Sequence, residues 1–451
     1  MINSNYDNIV KMDNMIVRSP MKSIIYFSIP LLISSIFLNM YNIVDSIVVG
    51  RYVSESALAA VAACFPIVFM ITSVFSGLTM GITILIAQFL GSEEYEQISI
   101  SIFTSYVILI IGIIPLSILG IIFSRQLLIA TNVPLEVLED SVLYLKILFG
   151  GIFFACGTEI NSGILKGLGD SKSNLYFIIF GSLLHIILAI VLVREFHMGI
   201  VGVAIATIAS QLLTLILGLV YIKKSFGTLN LRKQKFEKSI VLTLLNIGIP
   251  FAIQQIVFSV GRIAMQSLIN SKGTNFIAGY NVAGNIELFA YMIIQCLSTA
   301  IVIFTAQNLG AKQYERIKLG CRDTIIVCCI FSIVSSLIIL YNGELLISGF
   351  TKNKEALNAG MAYLWRILPF YCLLSIFDIL NSVIRGTKET FKPMLINVVS
   401  LVIVRLSAAY FLESKFGPEN IFFGFGIGWI VGVVLTIYLY RNGKWRRALN
   451  N

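Results

Sequence analysis

The sequence predicts an all-α polytopic membrane protein, with twelve transmembrane helices in two six-helix pseudo-symmetric lobes, and three observations carry that prediction. Of its 451 residues 57% are hydrophobic and only 12% charged, with a mean hydropathy of +0.89. That balance excludes a water-soluble fold of this length and makes lipid the solvent for most of the chain. Apolar stretches of about 20 residues or more, long enough to cross the hydrocarbon core, recur along it. Finally, the second half of the chain repeats the first.

Taken in order, the expected spans are 22–48, 57–86, 98–123, 139–165, 174–195, 199–222, 240–269, 276–304, 321–341, 356–383, 393–412 and 420–440. They are read as helices because they are long and continuously apolar, whereas a barrel strand is about ten residues of alternating pattern. Residues 1–21 carry Asp7, Lys11, Asp13 and Arg18 without the short apolar core and cleavage site of a signal peptide, so they are expected to stay as a cytoplasmic segment. The expected organisation is then 22–222 as the first lobe, 223–239 as a cytoplasmic linker, 240–440 as the second lobe and 441–451 as a basic tail. The seven cysteines lie in or beside apolar segments with no CxxC pair and no neighbouring histidine, which points away from disulfides and metal.

The net charge of +10 is distributed as topology rather than as a nucleic-acid surface. Twenty-two lysines and arginines fall in alternate loops and at the termini, from Lys11, Arg18 and Lys22 through Lys223 to Lys238 and on to Arg441 to Arg447. The opposite loops hold seven: Arg51, Arg125, Arg194, Lys272, Lys352, Lys354 and Lys415. The positive-inside rule therefore places both termini in the cytoplasm.

The repeat has an offset of 219 to 220 residues. Ala87-Gln88-Phe89-Leu90-Gly91 with Tyr95-Glu96 returns as Ala306-Gln307-Asn308-Leu309-Gly310 with Tyr314-Glu315. Leu165 to Ser171 returns as Ile384 to Thr390, Tyr144-Leu145 as Tyr363-Leu364, and Ser28-Ile29-Pro30 as Gly248-Ile249-Pro250. Six helices separate equivalent positions, so the two lobes share one topology, as in parallel-repeat transporters that bind substrate between their halves.

Polar residues inside the spans are the candidate site. Ser35, Asn39, Asn42 and Ser46 stack on one face of the first span, with Asp45 beside them. The seventh span repeats the stripe as Gln255, Ser259, Arg262 and Gln266, with Met265 in the place of Asp45. A carboxylate inside a span costs roughly 2.5–3.5 kcal/mol and is kept for a pathway or a proton relay, which singles out Asp45; the alternative is an interfacial aspartate paired near Arg51. His185 on the fifth span is either a titrating group or a packing histidine. Thr207 and Gln211, a turn apart on the sixth, complete that group. Arg262 is either a cavity residue or the partner of Glu287, and Asp378 on the tenth span is either solvated or part of the cavity. Pro115 and Pro369 mark bends. The chain has no P-loop, HExxH or GxSxG, which points away from a nucleotide-driven pump or a hydrolase and leaves an ion gradient as the energy source.

These residues resemble the multidrug and toxic compound extrusion (MATE) family over all twelve spans. The resemblance rests on Phe27-Ser28-Ile29-Pro30, on Tyr41-Asn42-Ile43-Val44-Asp45 with Gly50-Arg51, on the paired Ala-Gln-x-Leu-Gly turns, and on Leu165 to Lys172. It implies a V-shaped two-lobe antiporter of a bacterial cytoplasmic membrane, not an enzyme, working as a monomer without a cofactor and exporting cationic or amphipathic small molecules. In that family the aspartate matched by Asp45 belongs to a cation site with an Asn and an Asp four apart on the fifth helix and a Thr on the sixth. Thr207 fits, but the fifth-helix positions here are His185 and Ala189. Because hard cations prefer oxygen ligands, this departure favours H+ over Na+ as the coupling ion, carried by Asp45, His185 and Thr207. Asn39, Asn42, Gln211, Gln255, Arg262, Glu287 and Asp378 are the expected cavity residues. A flippase for lipid-linked precursors, of the same wider superfamily, is the alternative, and would use Arg262 and Arg366 on a diphosphate.

Overall fold

The computed structural model describes residues 15–226 and 237–442, excepting the side chains of Asn42 and Phe226. Of the expected cytoplasmic segments, 1–14, 227–236 and 443–451 lie outside the described residues. Every expected span is a helix long and apolar enough to cross a membrane: α1 (Pro20–Tyr52), α2 (Glu55–Gly91), α3 (Tyr95–Ala130), α4 (Leu135–Gly167), α5 (Ser171–Glu195), α6 (Gly199–Ser225), α7 (Lys238–Asn270), α8 (Thr274–Gly310), α9 (Tyr314–Ser348), α10 (Lys354–Gly386), α11 (Phe391–Phe416) and α12 (Pro418–Asn442). The chain is a multi-pass membrane protein.

Most helices run a turn or so beyond the apolar stretch that announces them, because polar residues extend and cap a helix without being hydrophobic. α9 begins at Tyr314 rather than near 321, with Glu315 and Lys318 paired at 2.7 Å across its first turn. Ser54 caps α2 by accepting the Ala57 N–H at 3.0 Å, Asp170 caps α5 through Ser173 N at 2.9 Å, and Asn353 caps α10 through Glu355 N at 2.9 Å. Pro369 sits in a 3-10 turn, Leu368–Phe370, that interrupts α10, whereas α3 continues unbroken through Pro115. Two π-helical turns, Val191–Glu195 at the end of α5 and Val399–Val404 within α11, shift the phase of the residues that follow them.

The chain divides into two compact units. The first contains 29–248 and the second 15–28 with 249–451, so the divisions fall inside α1 and α7, after Ser28 and Gly248. In the first unit α4 is the hub, packed on α2, α3 and α6. Close approach there depends on small residues: a Cβ on Gly167 would lie 2.8 Å from the Thr83 carbonyl oxygen, and the Thr83 hydroxyl donates to the Gly163 carbonyl at 2.9 Å. In the second unit α8 packs on α9, α10 and its neighbours, and the segment entering α1 is clasped by the second copy of the Ala-Gln-x-Leu-Gly turn. Met15 N–H donates to Gln307 Oε1 at 3.2 Å, and Arg316 donates to the carbonyl oxygens of Met15 and Arg18 at 2.9 and 2.5 Å.

The repeat extends to backbone and surface. Glu93 and Lys312 both have positive φ, 61° and 57°, as do Gly169 and Lys388, 83° and 67°, and His197 and Gly417, 53° and 94°. Each pair is separated by the repeat offset. Ile111, Ile114 and Ile118 on α3 are exposed, as are Ile330, Ile333 and Leu337 on α9, 219 residues later. Apolar stripes of this size facing outward belong against acyl chains.

Candidate functional site

The first unit places a polar cluster among apolar helices. Tyr41 and Asp45 are one turn apart on α1, His185 comes from α5, and Thr207 from α6. His185 is fully buried and the Asp45 side chain 15% exposed, with His185 Nε2 lying 3.5 Å from Asp45 Oδ1. His185 Nε2 is 3.2 Å from Thr207 Oγ1, and the Tyr41 hydroxyl 3.4 Å from the same oxygen. The Tyr41 and His185 rings stand 4.1 Å apart, tilted by 47°.

The hydrogens can be assigned by elimination. Thr207 spends its single hydrogen on the Val203 carbonyl at 3.0 Å, so its oxygen accepts, and His185 Nε2 and the Tyr41 hydroxyl are the donors. His185 is then the Nε2–H tautomer. Its Nδ1 is left as a buried acceptor with no hydrogen-bond partner, and Asp45 Oδ1 is buried with none either, since 3.5 Å is beyond good hydrogen-bond geometry. Two unsatisfied buried atoms of this kind are a costly arrangement.

The structure thus brings Asp45, His185 and Thr207 together. Gln211 is half-buried one turn beyond Thr207 and makes no hydrogen bond to that group. Asn39 donates to the Ser35 carbonyl at 2.8 Å and Ser35 to that of Leu31 at 3.0 Å, so these two members of the α1 stripe bond their own helix. The Asn42 side chain lies outside the described residues. Tyr41 was not among the expected site residues, although it opens the Tyr41-Asn42-Ile43-Val44-Asp45 run four residues before Asp45.

The second unit holds a different cluster. Glu287 on α8 accepts hydrogen bonds from the hydroxyls of Tyr363 and Tyr371 on α10. Of the two readings of Arg262, the one that pairs it with Glu287 is not what the carboxylate shows: its two oxygens accept from Tyr363 and Tyr371. Arg262 is exposed and Gln255 half-buried on α7, while the neighbouring Gln254 is buried and accepts from Arg385 at 3.2 Å. Asp378 lies within Coulombic reach of Arg385 and Arg405. Arg366 is paired with Glu419 at 2.8 Å and stacked over Phe423, so it is engaged in a partly exposed ion pair.

Arg405 on α11, a basic residue inside a span that the sequence leaves as solvated or paired, stands against aromatic rings. Its guanidinium carbon sits 4.4 Å above the Phe425 ring and 6.0 Å from that of Trp429. α11 can come this close to α12 because Gly428 has no side chain: a Cβ there would lie 2.7 Å from the Ser400 carbonyl oxygen. Arg405 follows the π turn Val399–Val404 directly.

Fold and site together define a duplicated six-helix membrane protein with a buried ionisable cluster in each half. The MatE family model matches residues 30–191 and again 250–411. Both matches begin and end 220 residues apart, which is the repeat found in the sequence. The chain belongs to the MatE family. It is 27% identical over 429 residues to the probable multidrug resistance protein YpnP of Bacillus subtilis, covering 94% of this chain and 96% of that one. It is 28% identical over 437 residues to the probable multidrug resistance protein YoeA of the same organism, covering 94% of each. A crystal structure of MATE in the straight conformation superposes with a TM-score of 0.91 at 21% identity, over 98% of this chain and 99% of the other. An outward-facing multidrug resistance MATE transporter of the MOP superfamily gives the same values, and both establish the fold.

Proposed function

We propose that this protein is a secondary antiporter that exports cationic or amphipathic small organic molecules by alternating access, in exchange for protons, across a bacterial cytoplasmic membrane with both termini inside. The relatives named as multidrug resistance proteins support the substrate class. The observation that carries the coupling ion is the approach of Asp45 Oδ1 to His185 Nε2 at 3.5 Å, inside a cluster where Asp45 Oδ1 and His185 Nδ1 are both buried without a hydrogen-bond partner. A proton on His185 Nδ1 makes the ring an imidazolium beside the Asp45 carboxylate, an ion pair that its departure removes, so occupancy is tied to the local contact of α1 with α5. Sodium coupling finds less support, because one carboxylate and two hydroxyls beside an imidazole make a thin oxygen shell. Among the described residues no three His, Cys, Asp or Glu side chains converge. The flippase reading loses Arg366, which is occupied by Glu419.

The test is ethidium transport by the purified protein in liposomes, with proton and sodium gradients imposed separately. Proton-driven uptake that Asp45→Asn abolishes is the expected result; uptake that follows sodium and ignores pH would sink the proton reading.

A further inference from the structure

The fold makes a cysteine pair that the sequence does not display. Cys329, near the middle of α9, and Cys372 on α10 are 43 residues apart in the chain, and each thiol points at the other's backbone. Cys329 Sγ lies 3.8 Å from the Cys372 carbonyl oxygen, and Cys372 Sγ 3.7 Å from that of Cys329. The two side chains are also within hydrogen-bond reach of each other. A polar ladder holds the helices in this register. Ser332 and Ser375, about one turn further along each helix, share a hydrogen bond at 2.7 Å, and the Ser336 hydroxyl donates to the Leu368 carbonyl at 3.2 Å.

Access decides which cysteines react. Of the seven, five are buried, and Cys329 and Cys372 are the two that are partly exposed. Ile326 and Ile333, a turn to either side of Cys329, are exposed on the apolar face that belongs against acyl chains. A ligand that arrives there has crossed lipid, so it is neutral and apolar. Two sulfurs held together are the donor set for one thiophilic atom that bonds both. Zinc takes four ligands, and among the described residues no three His, Cys, Asp or Glu side chains converge. Copper(I) between two thiolates leaves a net negative charge, which is costly at membrane depth. Trivalent arsenic bonded to two sulfurs and one carbon leaves no charge.

We propose that Cys329 and Cys372 form a dithiol site, reached from the bilayer, that captures an apolar, monosubstituted trivalent arsenical. In the reaction with an arsine oxide the arsenic–oxygen double bond and both S–H bonds break and two arsenic–sulfur bonds form. The oxygen leaves as water with both protons, arsenic stays trivalent, and no electron is transferred. The product is a neutral bridge from α9 to α10. The site stands apart from the export reading, since neither thiol belongs to the cluster of Asp45 or to that of Glu287.

Phenylarsine oxide is the probe. Purified full-length protein in detergent, reduced with a phosphine and desalted, is treated with the reagent and then with excess monothiol, which strips arsenic held by one sulfur and spares arsenic held by two. Intact-mass spectrometry is expected to show a single phenylarsenic adduct on wild type, released by a dithiol. Cys329→Ser and Cys372→Ser are each expected to lose it completely, and Cys328→Ser, at the buried neighbour, to keep it. Digestion of the wild-type adduct gives the same answer without a variant, and so carries the test if a serine variant aggregates: the α9 and α10 peptides should be recovered joined through arsenic. A wild type with no adduct left after the monothiol overturns the site. So does an adduct that persists without Cys329 or without Cys372, one that needs Cys328 instead, or one that joins other peptides.

Discussion

The two halves of this chain put different chemistry at the same helical positions. In the first, Asp45, His185 and Thr207 meet in one contact network closed by Tyr41. In the second, the equivalents of Asp45 and His185 are Met265 and Arg405, and the carboxylate comes from α8 instead, held by Tyr363 and Tyr371. Duplication supplied two copies of a scaffold, and divergence gave one an imidazole beside a carboxylate and the other a guanidinium, a permanent cation. The proposed function puts ion coupling in the first half, with no equivalent pair in the second.

The largest effect should come from removing the group that has no counterpart. Asp45→Asn is expected to lower proton-driven ethidium transport about a hundredfold, the loss typical of a deleted proton-transfer group, while leaving dye binding near wild type. Transport that survives with its pH dependence intact would erase the distinction between the halves.

Glu287 is bonded in a way that Asp45 is not, and its role should therefore be read in stability. Tyr371→Phe removes one of its two donors and is expected to destabilise the purified protein by about 2 kcal/mol, as for a hydrogen bond to a charged group. Tyr363→Phe should do the same. Thermal unfolding in detergent measures both. A variant as stable as wild type but dead in transport would move Glu287 from scaffold to coupling, and make the halves alike after all.

The comparison also shows what a sequence can display. All twelve spans and the duplication were legible, because lipid demands long apolar runs and the two turn motifs survive in both copies. The grouping of His185 with Asp45 and Thr207 was legible as well, since ionisable residues are rare inside spans. The partners of Glu287 were not. A helix in lipid is apolar on nearly every face, so periodicity does not reveal which face meets which neighbour, and Tyr363 and Tyr371 look like any other aromatic. The ring neighbours of Arg405 were hidden for a second reason: the π turn at Val399–Val404 rephases α11, so an ideal helical wheel misplaces it.

Restoring the missing acid sharpens the contrast. Met265→Asp places a carboxylate where the repeat has Asp45, and α7 runs against α11 there, since a Cβ on Gly261 would lie 3.0 Å from Val402. The new acid should pair with Arg405 and stabilise the purified protein by about 1.5 kcal/mol in thermal unfolding, as for a hydrogen bond to a charged group. A folded variant no more stable than wild type would mean that a side chain at 265 does not reach Arg405.

The smallest effect tests the repeat in its backbone. Gly169 and Lys388 occupy the same turn, at φ 83° and 67°, with Gly169 N–H donating to Lys166 O at 3.0 Å and Lys388 N–H to Arg385 O at 2.9 Å. A side chain in this left-handed region crowds its own carbonyl, which costs roughly 1 kcal/mol, and glycine avoids it. Gly169→Lys, which copies the second half into the first, should lower stability by about 1 kcal/mol. Lys388→Gly should raise it by only about half as much, because glycine also adds entropy to the unfolded chain. The two substitutions differ in sign only if the turns are one conformation filled by different residues; a loss of stability in both would mean that Lys388 has acquired contacts that its counterpart never had.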